Sequence, residues 1–160
     1  MLEVALGSGL RVAEIAGLNC GDISLGGSSG SIFVRCGKGG KQRMTIISAQ
    51  LCRILKDFVR WKSTLGESTE PQSPLIASKL TGGHITTRAL QKMFKRLLAA
   101  AGTGNHRFHD LRHTYGTFLL RASGNDLVFV RDQLGHTDLT TTAVYLHALN
   151  AEKAVNGLYA

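Results

Sequence analysis

The spacing of apolar residues changes twice along the chain, from helical to alternating and back to helical. Leu2 to Leu6 and then Leu10, Ala13, Ile15 and Leu18 are roughly helix-spaced on either side of Gly7-Ser8-Gly9, which predicts two short helices around a glycine corner. From Asp22 to Ile47 short β-prone runs, Ile23 to Leu25, Ser31 to Arg35 and Met44 to Ile47, are separated by Gly26-Gly27-Ser28-Ser29-Gly30 and Gly37-Lys38-Gly39-Gly40. This pattern predicts an antiparallel meander of three strands. Ser48 can cap a helix with Leu51, Ile54, Leu55, Phe58 and Trp61 on one face, ending near Gly66. Glu67 to Gly83 holds both prolines and many small polar residues and reads as an exposed connection. Thr86 or Thr87 can cap a further helix that carries Leu90, Met93, Phe94, Leu97 and Leu98 and closes at Gly102. After Gly102-Thr103-Gly104 the pattern predicts helices from near His109 to Arg121, from Leu127 to Leu134 with Gly135 as its stop, from Asp138 to Tyr145, and around Ala151 to Leu158. The fold class expected is mixed α/β, predominantly helical, with a small three-stranded antiparallel sheet near the N-terminal third.

Composition narrows this to one compact domain, since 160 residues with 43% apolar and 19% charged content can bury a core and need neither disorder nor a coiled coil. Nineteen Lys and Arg against 11 Asp and Glu leave a net charge of +8, which points to a polyanionic partner, nucleic acid before an acidic membrane surface. Cys20, Cys36 and Cys52 are odd in number and form no C-x-x-C pair, so a disulfide framework or a four-cysteine zinc site is disfavoured. No apolar run approaches the ~18 residues of a membrane span, and the N-terminus lacks a signal-peptide pattern. These features lead to the expectation of a cytoplasmic chain with no membrane partner.

The glycines invite nucleotide-binding motifs, but Gly7-Ser8-Gly9 has Val12 where a dinucleotide fingerprint needs a third glycine, and Gly37 to Lys41 lacks the phosphate-loop spacing. His109 and His113 stand at i and i+4, a metal-binding spacing, yet Asp110 replaces the glutamate of H-E-x-x-H and no third ligand follows. Neither a metal nor any other cofactor is expected. Arg112 lies three residues beyond His109, so imidazole and guanidinium share a helical face and can clamp a phosphodiester. Arg11 with Glu14 one turn on, Lys38 at a hairpin tip, His136 after a helix end and Tyr145 nine residues later each have an ordinary structural explanation when taken singly. Arg88, Lys92, Lys95 and Arg96 give one helix a basic side, and Lys41 and Arg43 add charge beside Lys38. All six are candidate DNA contacts, although a solvated basic face explains the same residues.

Order and spacing together carry a resemblance. Gly9-Leu10-Arg11-Val12-Ala13-Glu14, Gly37-Lys38-Gly39 in a hairpin, His109-Asp110-Leu111-Arg112-His113-Thr114, Leu134-Gly135-His136, then Thr141-Thr142 and Tyr145 resemble the tyrosine recombinases, the phage integrase family. The match runs from Leu2 to about Tyr145. The resemblance implies that Arg11, Lys38, His109, Arg112 and His136 surround a scissile phosphate, that Tyr145 is the nucleophile, and that Glu14 and His113 support them. It implies a catalytic domain over residues 1–160 without the family's additional N-terminal DNA-clamping domain, acting on double-stranded DNA as part of a recombinase tetramer in the full-length context. The chemistry suits the residues: a tyrosine hydroxyl with an unperturbed pKa of ~10 attacks phosphorus at neutral pH only with a base and positive charge at hand. Cleavage would leave a 3′-phosphotyrosine and a free 5′ hydroxyl, and would reverse without ATP. Three other readings compete with site-specific recombination: a basic DNA-binding module without catalysis, a zinc protein built on His109 and His113, and a type IB topoisomerase.

Overall fold

The computed structural model describes residues 1–35, 37 and 40–146. In chain order they form α1 (Leu2–Ser8), α2 (Val12–Ala16), a 3-10 turn at Cys20–Asp22, β1 (Ile23–Leu25), β2 (Ser29–Val34), β3 (Arg43–Ser48), α3 (Ala49–Thr64), α4 (Thr87–Ala100), α5 (Phe108–Ala122) and α6 (Leu127–Leu134). A last helical stretch, α7, covers 139–146. The helix starts follow capping chemistry: Ser48 accepts the Leu51 N–H at 3.3 Å, Thr86 that of Ala89 at 3.1 Å and Asp126 that of Phe129 at 2.9 Å.

The sheet is antiparallel in the order β1-β2-β3, with Ile23 opposite Ile32 and Phe33 opposite Met44. Period-two alternation sends Ile32, Val34, Thr45 and Ile47 inward, where they are buried against α3 and α1, and leaves Met44 and Ile46 outward and exposed. β2 begins two residues before the predicted Ser31, because Gly30 pairs with Ile47, and stops at Val34 rather than Arg35, whose guanidinium pairs with Asp22 at 2.9 Å.

Two apolar clusters result. The larger joins α1, α2, the sheet, α3 and α4, reaching Leu75 and Phe108, the latter edge-on to Phe94 at 5.4 Å. The smaller holds Leu120, Val130, Leu134 and Tyr145, with Tyr115, Leu119, Leu127 and Leu146 against them. They meet where α1 crosses α5. Gly9 makes that meeting close: it has a left-handed φ of 63°, and a Cβ there would stand 2.3 Å from the Tyr115 ring.

Two sequence expectations change. Trp61 is 53% exposed, whereas its neighbour Lys62 is 2% exposed and donates to Glu67 Oε2 at 2.8 Å. Lys62 stands eleven residues after Leu51, in line with Leu55 and Phe58, and Trp61 sits about 100° to the side; the lysine stem therefore fills the core end of α3 while its head is neutralised. The connection at 67–83 is also not simply exposed. Leu75 is buried and donates its N–H to Leu18 O at 2.8 Å, and short bridges join Asn19 to Pro74 and Ala77 to His84. The helix expected at 151–158 lies outside the described residues.

Candidate active site

At the seam between the clusters lies Arg112, in the second turn of α5 and 2% exposed. Its Nη1 donates to Gly9 O and its Nη2 to Leu134 O, both at 2.6 Å. One side chain thus ties α5 to the glycine corner and to the end of α6. Burial, followed by repulsion from Arg11, brings its pKa down to about 10, so it remains charged at neutral pH. A guanidinium has five donors, and two fixed ones orient the whole fork.

Arg11 precedes α2, where its own N–H donates to Glu14 Oε2 at 2.8 Å and its Nη1 to Glu14 Oε1 at 3.0 Å. The same carboxylate receives a second guanidinium in a two-pronged grip, Arg43 Nη1 to Oε1 and Nη2 to Oε2, each 2.9 Å. Burial alone would raise the Glu14 pKa, but the Arg43 hydrogen bonds, the Arg11 N–H and the two nearby charges outweigh it and hold the carboxyl below its ordinary range. Three arginines converge on the last turn of α6: Arg43 Nε donates to Gln133 O (3.3 Å), Arg112 to Leu134 O, and Arg11 Nη2 reaches Gly135 O at a long 3.5 Å. These are carbonyls that a helix terminus leaves without intrahelical partners, at the negative end of its dipole.

Gly135 then turns the chain in a left-handed conformation (φ 65°), and the His136 N–H closes back on Arg131 O at 3.0 Å. His136 emerges beside the arginines with Nδ1 2.9 Å from Thr142 Oγ1, a fully buried hydroxyl on α7. Burial first, then Arg112, Arg11, Arg43 and His109, pushes the His136 pKa down to about 4, so the ring is neutral at pH 7. His109 is lowered by the same kinds of cause, burial first and then His113 and the two arginines. Tyr145, 3% exposed, stacks 6.3 Å from His136 at an interplanar angle of 13° and lies 5.7 Å from His113, which in turn meets His109 edge-on at 4.7 Å. Its ring rests on Gly116, one turn beyond Arg112. Burial raises the Tyr145 pKa, and Arg112 and Arg11 oppose the rise.

Arg11, Glu14, His109, Arg112, His113, His136 and Tyr145 therefore lie together at one seam. Lys38 lies outside the described residues. Lys41 is exposed, whereas Arg43, expected with it as a candidate DNA contact, has an 11% exposed side chain that pairs with Glu14. Arg88, Lys92, Lys95 and Arg96 are all exposed on α4, and Lys95 lines a cleft of about 650 Å³ with Arg11, His109 and Arg112. Asn105, His106 and Arg107 line it too; they form a polar run between the Gly102-Thr103-Gly104 break and the His109 box, with no periodicity to single them out. Among the described residues no third His, Cys, Asp or Glu joins His109 and His113 in a metal-holding group, and no helix is long and apolar enough to cross a membrane.

The model of the phage integrase family matches residues 1–152. The chain is 38% identical over 148 residues to tyrosine recombinase XerC of Yersinia pestis, an alignment covering 92% of this chain and 46% of that protein. It therefore spans less than half the length of that relative. Among solved structures, XerA recombinase has a TM-score of 0.78 at 30% identity, over 96% of this chain and 56% of its own. XerH recombinase, in a post-cleavage complex with a palindromic difH substrate, has a TM-score of 0.78 at 26% identity, over 96% of this chain and 43% of its own. With its arginine-histidine seam on that fold and its sequence matched almost from end to end, this chain belongs to the phage integrase family, the tyrosine recombinases.

Proposed function

We propose that residues 1–160 act as the catalytic domain of a site-specific recombinase that cuts and rejoins double-stranded DNA through a 3′-phosphotyrosine link at Tyr145. The observation that carries this reading is the packing of Tyr145 beside His113 and His136 with the charges of Arg112 and Arg11 acting on it. In the reaction the Tyr145 oxygen forms a bond to phosphorus, the bond from phosphorus to the bridging 5′ oxygen breaks, and the phenolic proton leaves to a neighbouring base. Arg11 and Arg112 neutralise the non-bridging oxygens as charge builds, and His109 and His136 donate hydrogen bonds to them. Neutral imidazoles suit that task, because they add donors without adding repulsion to two packed guanidiniums. Lys38 is assigned the proton delivered to the leaving 5′ oxygen. Rejoining is the same exchange in reverse. Lys95 and Arg107 on the cleft rim, with Lys41, Arg88, Lys92 and Arg96 beyond it, supply phosphate contacts, and the full-length protein assembles as a tetramer on its DNA site in the cytoplasm.

The test is a suicide DNA site carrying a nick near the cleavage position, followed by a denaturing gel. Wild-type protein should form a covalent adduct and Tyr145→Phe none, with DNA affinity unchanged. An adduct mapped to Tyr115 or Tyr159, or absent from the wild type, refutes the assignment.

A further inference from the structure

Arg43 is a cation held among three elements of the fold beside the phosphate-facing arginines. It sits at the start of β3, two residues after the exposed Lys41, where a cation can meet phosphate. Instead the side chain turns inward and is 11% exposed. It holds both oxygens of Glu14 on α2, donates to Gln133 O on α6, and runs directly beneath Gly135, where an added Cβ would meet its Cδ, Nε and Cζ at 2.7, 2.8 and 2.9 Å. Thr45 Oγ1 donates to Gln133 O at 3.2 Å and the Ile46 N–H to Gln133 Oε1 at 2.9 Å, so the same strand is fastened to α6 again just beyond it. Three elements that share no local sequence are joined at one guanidinium.

We infer that Arg43 is a positioning residue for strand cleavage: it takes up the Glu14 carboxylate so that Arg11 stays available to phosphate, and it floors the Gly135-His136 turn so that His136 faces the same phosphate. The inference rests on the proposed recombinase reading. The charge count supports it, because one carboxylate shared by two guanidiniums leaves a net positive charge, whereas Arg11 alone with Glu14 would form a neutral pair. The packing supports it as well. The His136 turn has Arg43 for a floor, Arg112 on Leu134 O and Thr142 at the ring, and removing the floor leaves the ring to shift against the other two.

The experiment compares Arg43→Gln and Arg43→Lys with wild type by three readouts: DNA affinity against salt, adduct formation at saturating suicide DNA, and NMR titration of His136 without DNA. Arg43→Gln should bind DNA with an unchanged salt slope and form adduct about 10²-fold more slowly, the scale of a 1 Å misplacement. Arg43→Lys keeps the charge but loses the two-pronged grip, and should fall between. The His136 midpoint should rise in Arg43→Gln, because one of the four charged or titratable groups that depress it (Arg112, Arg11, Arg43 and His109) has gone, and should move less in Arg43→Lys. A rate at saturation equal to wild type, with weaker binding and a salt slope reduced by about one phosphate contact, would make Arg43 a DNA contact and overturn the inference. An unmoved His136 midpoint in both variants would overturn it too. If wild type forms no adduct, the recombinase reading fails, while the His136 titration still decides whether Arg43 sets that ring.

Discussion

Gly116 is where the placement of Tyr145 can be moved with one methyl group. A Cβ at position 116 would lie 2.5 Å from Tyr145 Cζ and 2.8 Å from each Cε, against the 3.5 to 4.0 Å that carbon contacts require, so the ring must retreat by about 1 Å. Two stability effects of Gly116→Ala oppose each other. Overpacking a core costs typically 1–3 kcal/mol, and replacing glycine by alanine inside a helix returns about 1 kcal/mol. The net is a loss of roughly 0–2 kcal/mol, or no more than about 8 °C in Tm for a chain of this length. The protein should therefore stay folded by circular dichroism and bind DNA normally. Adduct formation should nevertheless fall about 10²-fold at saturating suicide DNA, because a 1 Å error in a reacting group costs that much. Gly116→Ser, slightly larger, should be slower still. An adduct rate within twofold of wild type in a stably folded Gly116→Ala protein would refute the reasoning: Tyr145 would then react from a position other than the one it occupies against α5.

Two further outcomes follow from charge. Glu14→Gln removes the charge and turns one of the two acceptor oxygens into a donor, so two of the four hydrogen bonds are lost and two guanidiniums face a neutral amide; urea unfolding should register a loss of about 3 kcal/mol, toward the lower end for a broken buried pair because Arg11 is partly exposed. Its folded-state pKa is lowered, so the wild-type contribution is complete above the ordinary glutamate value of about 4.3 and fades as pH falls through the lower folded value; that acid-limb loss should be missing from the variant, and an identical limb in both proteins would contradict the network. His136 acts in the same sense at higher pH. With a folded pKa of about 4, the unfolded chain takes up its proton first, so wild-type stability should decline as pH drops from about 6.5 toward 4, and an NMR midpoint at or above 6.5 in the DNA-free protein would show the ring to be unshielded.

What the sequence by itself determined is local. The positions of most helices and strands among the described residues, the caps at Ser48 and Thr86 and the stop at Gly135 depend on residues a few places apart, and they stand where periodicity and capping chemistry put them. The shared face of His109, Arg112 and His113 is likewise a property of one turn and its neighbour. Trp61 and Lys62 mark the edge of that power: adjacent residues about 100° apart are separated only by knowing where the core lies. Tertiary structure alone decided the rest. Arg112 meets its carbonyl on Gly9 across 103 positions of sequence, and Arg43 meets Gln133 across 90, and no pattern of period 2 or 3.6 carries information over such spans. A basic residue at a hairpin base looks the same in one dimension whether it faces DNA or a buried carboxylate. Arg43 turned inward because Glu14, the end of α6 and a glycine with no side chain left a polar space of its size behind the strand, and a charge taken from water must find such partners or stay outside.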